Sequence, residues 1–421
     1  MKFGMKGSYE SSIGNLDLSP DFYGSIVKYL GTGETTDKGY VIAGSTECEQ
    51  ELDGGETGGL IYNGNFSYKN NASYNAAMQC FVFSGNGTAK TNVFGGAWAA
   101  VGDLAPATIA IGRAEAKRIS FIRRFRMKDG TIRTNPGVGN PDIKEQIGQP
   151  DETVQVIRFR REGREEIVAV NFGTHPDTIG GDAISADWPG FARRCVEKSL
   201  DGVRCILFNG ALGDVNHVCV DPRPGEREGL KRDFDDVDRG YEHAKHMGRV
   251  VAGAVMSVYG KCAPVEPGAV TYAVKDVVVP SNRPKPEELP LARKYSDLHA
   301  SGKDDEIPFK GMELTTVVAE AGRMLRLENG PDTFSMPLSS VSVGGAIRFV
   351  GIPGEPFTEI GRRIKDESPA AMTFVTCITN GYYGYFPTAG AYQEGGYEAR
   401  SSIFGPTVAQ DLVSAAAGIL V

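Results

Sequence analysis

EEIVAVNFGTHPDTIGGDAISADWPGFARRCVEKSLDGVRCILFNG, residues 165–210, sets two apolar runs around a segment with helix-start signals. EEIVAVNF (165–172) and VRCILFNG (203–210) are short, continuous and rich in β-branched residues, so they read as buried strands. ADWPGFARRCVEKSL (186–200) opens with Asp187 and Pro189 and reads as a helix. The same alternation recurs outward. ATIAIGRAEA (107–116), TVQVIRFRRE (153–162), AIRFVGIP (346–353) and MTFVTCIT (372–379) read as strands, and Arg239–Tyr259 and EPFTEIGRRIKDE (355–367) as helices. Alternation of this kind predicts an α/β fold of mixed β-sheets flanked by helices. The Pro-rich, charged stretch 280–308 reads as a surface excursion.

Residues 1–104 have a different texture. Between Gly58 and Gly102 the only charges are Lys69 and Lys90, and Gly, Asn, Ala and aromatics dominate. We expect short strands and turns there, packed on a main body that spans 105–421. The whole chain has 421 residues, a net charge of −8 and 41% hydrophobic residues, as soluble globular proteins do. An acidic chain without a basic stripe is a poor nucleic-acid ligand. Seven scattered cysteines with no CxxC spacing read as reduced thiols. No apolar leader and no run of 18 apolar residues occurs, so the expectation is a cytoplasmic protein without a transmembrane segment.

Polar groups follow several of the strands: His175, the first histidine in the chain, then Asp214 and Asn216, Glu355, and Tyr392. Strand carboxyl ends converge in α/β sheets, so residues distant in sequence can share one site. An imidazole, a carboxylate and a further oxygen donor make a zinc set with room for a reactive water. Each residue also has a purely structural reading. His175 could be hydrogen-bonded in place, Glu355 could cap a helix, Tyr392 could pack in a loop, and Asp214 could sit in a turn. His243 and His246, spaced i, i+3, could be half a metal site, but the stripe His243, Met247, Val251, Ala254, Val258 argues for a core-facing helix instead. His217 could be a substitute ligand or a loop hydrogen-bonder. No GxSxG, P-loop or GxGxxG is present, which argues against serine hydrolase, NTPase and dehydrogenase readings.

FGTHP (172–176), GDVN (213–216), PGE (353–355) and AYQEGGYEARSSIFGP (391–406) together resemble the neutral/alkaline non-lysosomal ceramidase family, in family order, from about Ile111 to the C-terminus. The resemblance implies a ceramidase-like catalytic domain without the family's C-terminal β-sandwich domain. It also implies a zinc ion held by His175, Glu355 and Tyr392, hydrolysis of a small-molecule or lipid-like amide, and Arg123, in ISFIRRFRMKDG, beside the scissile group. The family's other histidine ligand lies in an early His-Thr-His motif, and no histidine precedes residue 175 here. Asn216 stands where the family presents a serine, so it can donate a hydrogen bond to an oxyanion but cannot act as nucleophile. Two functions remain open at this point: a zinc-dependent amide hydrolase using metal-activated water, or a non-catalytic binding protein of the same fold that has lost its metal.

Overall fold

A computed structural model of the chain describes residues 103–181, 185–266 and 268–419, with Ala100 and the backbone of two antiparallel strands, Ala72–Asn75 and Cys80–Phe83. The expected texture of residues 1–104 therefore lies almost wholly outside the described residues. Two compact units are present, one of residues 1–106 with 181–186, the other of 107–180 with 187–421.

Among its described residues the second unit holds two large sheets, besides a three-stranded sheet and three two-stranded pairs. In the first, β1 (Ala107–Glu115), β2 (Thr153–Arg161), β3 (Glu166–Phe172), β4 (Val203–Asn209) and β5 (Ala263–Val265) are ordered β4-β3-β2-β1-β5, with β3 and β4 parallel and the other neighbours antiparallel. Helix α1 (Asp187–Ser199) makes the crossover between the parallel pair, and α2 (Tyr241–Tyr259) precedes β5. In the second, β6 (Val270–Pro280), β7 (Thr333–Val343), β8 (Ile347–Gly351) and β9 (Met372–Thr376) are ordered β6-β7-β8-β9, and only β8 and β9 are parallel. Between β6 and β7 come α3 (Leu289–Ala300) and α4 (Gly311–Leu327); α5 (Thr358–Asp366) joins β8 to β9, and α6 (Val408–Gly418) follows.

Side-chain alternation shows how the layers stack. Ile109, Ile157 and Ala169 of the first sheet pack with Ile347, Met372 and Phe374 of the second, so these faces meet. Val154, Val156, Val168 and Val170 point the other way, onto Trp188 and Val196 of α1 and Met247, Val251 and Val255 of α2. Leu338, Val350 and Val375 likewise cover Ile360 and Ile364 of α5 and Leu412 and Val413 of α6. The order is helix, sheet, sheet, helix. Strands covered on both faces carry apolar residues at successive positions, which is why they read as runs rather than as alternations.

The stretch 280–308 is less irregular than its composition suggests, because it contains α3, of which only Ala292 is buried. No helix among the described residues is long and apolar enough to cross a membrane.

The carboxyl ends of β3, β4, β8 and β9 lie together. Gly210 N donates to Phe172 O at 2.9 Å, Cys377 N to Asn209 O at 3.0 Å, and the Asn171 side chain to Val375 O at 3.0 Å. The crossing is tight: a Cβ on Gly173 would stand 2.3 Å from Ala211 O, so glycine is required there. This edge is where the polar residues gather.

Candidate active site

His175 follows β3 and is fixed from three sides. Its Nδ1 is 2.8 Å from Val215 O, its Nε2 is 2.8 Å from Glu355 Oε2, and its carbonyl accepts from Trp188 Nε1 at 3.2 Å. Glu355 comes from the turn after β8, where Glu355–Pro356 pairs in parallel with Tyr385–Phe386 and sets Tyr385 alongside Glu355. Val215 O has only lone pairs to offer, so Nδ1 carries the hydrogen. Nε2 of a neutral ring then turns a lone pair towards a carboxylate, an arrangement that needs a proton or a cation between the two. Burial pushes the Glu355 carboxyl up, but His175, Arg123 and the Tyr382 hydroxyl that is hydrogen-bonded to it bring it below the usual range. The charge of Glu355, then burial, raises Tyr382; burial, then Glu355, raises Tyr385.

Arg123, 5% exposed, closes another side. Nε donates to Glu398 Oε1 at 2.6 Å and Nη2 to Gly213 O at 3.1 Å. Its guanidinium carbon lies 5.4 Å from the Tyr385 ring centroid and 6.0 Å from that of Tyr397. Burial works against its charge, yet Tyr385, Glu398 and Asp177 hold its pKa well above the ordinary value. Asp177, two residues beyond His175, has its Oδ1 3.3 Å from His217 Nδ1. Burial raises it, but His217, His175 and Arg239 leave it strongly lowered.

The structure thus brings His175, Glu355 and Arg123 into one charged cluster. It does not bring Tyr392 there. The Tyr392 hydroxyl is 3.0 Å from Ser402 Oγ, which donates to Tyr385 O at 2.9 Å, and its ring packs on the core of the second sheet; the phenols set against Glu355 are Tyr382 and Tyr385. Sequence reasoning missed both. The signal was GYYGYFP (381–387), three tyrosines directly after a strand that ends beside the others. Asn216 follows Val215, whose carbonyl His175 engages, in the short pair with Phe121–Ile122, but its amide donates to Asn135 Oδ1 at 3.2 Å and its Oδ1 accepts from Val218 N at 3.0 Å. At least one of its two donor hydrogens is therefore already engaged. Asp214 accepts from Thr358 N and Oγ1 at 2.7 and 2.6 Å, a structural role at the start of α5. His217 has both nitrogens engaged, with Asp177 and Asp238 O, and is no substitute ligand.

All five histidines of the chain are at or after residue 175, and none joins His175. Among the described residues no three His, Cys, Asp or Glu side chains converge as a metal group. A cation at this position would rest on one imidazole, one carboxylate and a phenol. The donor types and the opposed lone pairs fit such an ion; the small number of nitrogens makes the fit a weak one.

Asp187, at φ 48° and 3% exposed, holds the start of α1 by accepting from Trp188 N at 2.6 Å and Ile179 N at 2.7 Å. Burial pushes its carboxyl up to about 6. An acid whose folded pKa exceeds its unfolded value of about 3.9 makes the folded state the better proton binder between the two, so stability falls as pH rises from about 4 to 6. We expect a loss on the order of 2 kcal/mol across that window, flattened in Asp187→Asn, which keeps an acceptor and tolerates the left-handed backbone. Urea unfolding at pH 4, 5, 6 and 7 checks it, and an equal slope in both proteins would refute the assignment.

Among solved structures, the chain is similar to the neutral ceramidase from Pseudomonas aeruginosa, at 15% identity and a TM-score of 0.54 over 79% of this chain and 55% of that one. It is also similar to a ceramidase complexed with C2, at 17% identity and a TM-score of 0.53 over 79% and 56%. The chain spans little more than half the length of either. No family model matches the sequence, and no curated protein matches it. Over 79% of its length, the chain has the fold of the ceramidases.

Proposed function

We propose that the chain is a ceramidase-like hydrolase that cleaves an amide or related carbonyl bond in a small-molecule or lipid-like substrate, with zinc as its cofactor. The observation that carries the reading is His175 Nε2 set 2.8 Å from the Glu355 carboxylate, with the Arg123 guanidinium nearby at Tyr385. His175 and Glu355, with Tyr382 or Tyr385, would hold the ion, which when bound polarises a carbonyl and lowers the pKa of water towards about 7. Arg123 is fixed by Glu398 and Gly213 O, so its charge needs no reorganisation to stabilise an oxyanion that develops beside it. Tyr382 and Tyr385 keep their protons at neutral pH in the absence of a cation, which leaves them hydrogen-bond donors to substrate oxygen.

One observation favours a second reading. No histidine precedes residue 175, and among the described residues no second imidazole joins His175, so a non-catalytic binding protein of the same fold would show the same architecture. Zinc content after chelator-free purification, followed by zinc reloading and assay on fluorogenic N-acyl amides, separates the two. The hydrolase reading expects bound zinc and turnover, both lost in His175→Ala. A chain that takes up no zinc and turns over no amide after reloading is the binding protein.

A further inference from the structure

We propose that His243 and His246 form a second, two-imidazole site for a divalent transition-metal ion, separate from the cluster at His175. The two residues are three apart at the start of α2, so both rings leave the same side of the helix. Their centroids are 5.9 Å apart. Two imidazoles bound to one ion through nitrogens at about 2.0–2.1 Å place their centroids roughly 5 to 6 Å apart, so the rings already stand near the spacing that an ion imposes.

His243 gives the stronger sign. It is 5% exposed, and its buried Nε2 has no hydrogen-bond partner among the described residues. The core-facing stripe expected of α2 is present, with His243, Met247, Val251, Ala254 and Val258 all buried, but packing alone leaves that nitrogen without a bond. Buried polar atoms without partners are uncommon, and an absent ion is one of the few accounts of them. Burial, then the neighbouring His217 and His246, push the ring down to about 4, so at neutral pH it is uncharged and its lone pair is free to coordinate. His246 is exposed beside it and gives the ion a route from solvent.

Among the described residues the surroundings add no third ligand to these two side chains. The His217 ring is 5.8 Å from His243, but its nitrogens are engaged with Asp177 and Asp238 O, so it forms a wall rather than a ligand. Glu226, whose charge acts on His243, is held bidentately by Arg118. Water would complete the coordination. The positive end of α2 opposes a cation, and together with only two donors this places the affinity in the micromolar range, for ions that imidazole suits such as zinc, nickel and copper.

Zinc titration by calorimetry tests the proposal, with His ring-proton NMR as a second measurement. His175→Ala is expected to keep one zinc with a Kd of roughly 1 to 100 μM, and adding His246→Ala, at an exposed position, should weaken it at least about tenfold. If His175→Ala does not fold, the same comparison is made in Glu355→Gln. In the unaltered chain the His243 and His246 resonances should shift together, while those of His299 stay put. Failure of both variants to bind zinc, or binding that His246→Ala leaves unchanged, overturns the site. Either result leaves the reading of the His175 cluster standing, because that reading is tested by His175→Ala on turnover.

Discussion

Glu355→Gln is expected to lower zinc-dependent turnover by about a thousandfold or more and zinc affinity by at least about a hundredfold, while leaving the fold intact. The reasoning starts from the opposed acceptors. His175 Nδ1 is committed to Val215 O, so on a neutral ring Nε2 faces the Glu355 carboxylate with a lone pair. A glutamine amide can donate to that lone pair and settle the contact without any cation. The charge that attracts an ion is removed at the same time. Arg123 keeps Glu398 as its partner, so no buried cation is left without one. The variant should therefore unfold in urea, with EDTA present, at no lower a midpoint than the unaltered protein, a separation of stability from metal binding that a merely structural Glu355 would not give. Turnover and zinc affinity that survive the change would remove Glu355 from the site.

The same edge of the sheets shows what could and could not be read from the chain. β3, β8 and β9 were legible because strands covered on both faces must be apolar throughout, β4 because its run is apolar although Arg204 and Ile206 are exposed at the sheet edge, and the first helix between them because it begins with Asp187. β6 and β7 were not. Val270, Tyr272, Val274 and Val278 of β6 are exposed, and β7 carries Pro337, Ser339 and Ser340, so neither has the apolar run that a covered strand needs. His175 and Glu355 were legible because each closes a strand at the converging edge. Tyr392 was named from the resemblance rather than from a strand end, and it lies in the short helix Ala389–Glu394, bonded to Ser402. Tyr385 is at the site because its backbone pairs with Glu355, a register that spacing alone does not give. Asn216 was placed correctly in the chain but not in its bonding, since its engagement with Asn135 depends on a left-handed turn 81 residues earlier.

Glu398→Gln should cost about 3 to 5 kcal/mol of stability. Glu398 is fully buried and takes Arg123 Nε at 2.6 Å and the Thr134 hydroxyl at 3.2 Å, with Arg124 Nε 3.9 Å away. Both arginines are themselves buried, and Arg124 Nε has no hydrogen-bond partner among the described residues that could replace the carboxylate. Removing one negative charge therefore strands positive charge in a medium that screens it poorly, which is a larger loss than the pair's own net worth. Glu394 provides the control. It bonds Arg124 and Arg126 from a side chain that is 25% exposed, so Glu394→Gln should cost less than about 1 kcal/mol. Urea unfolding of the two variants side by side makes the comparison. Costs that come out equal and small would mean that water reaches Arg123 from the site, and an arginine so hydrated would be a much weaker stabiliser of a developing oxyanion than its fixed, buried geometry implies.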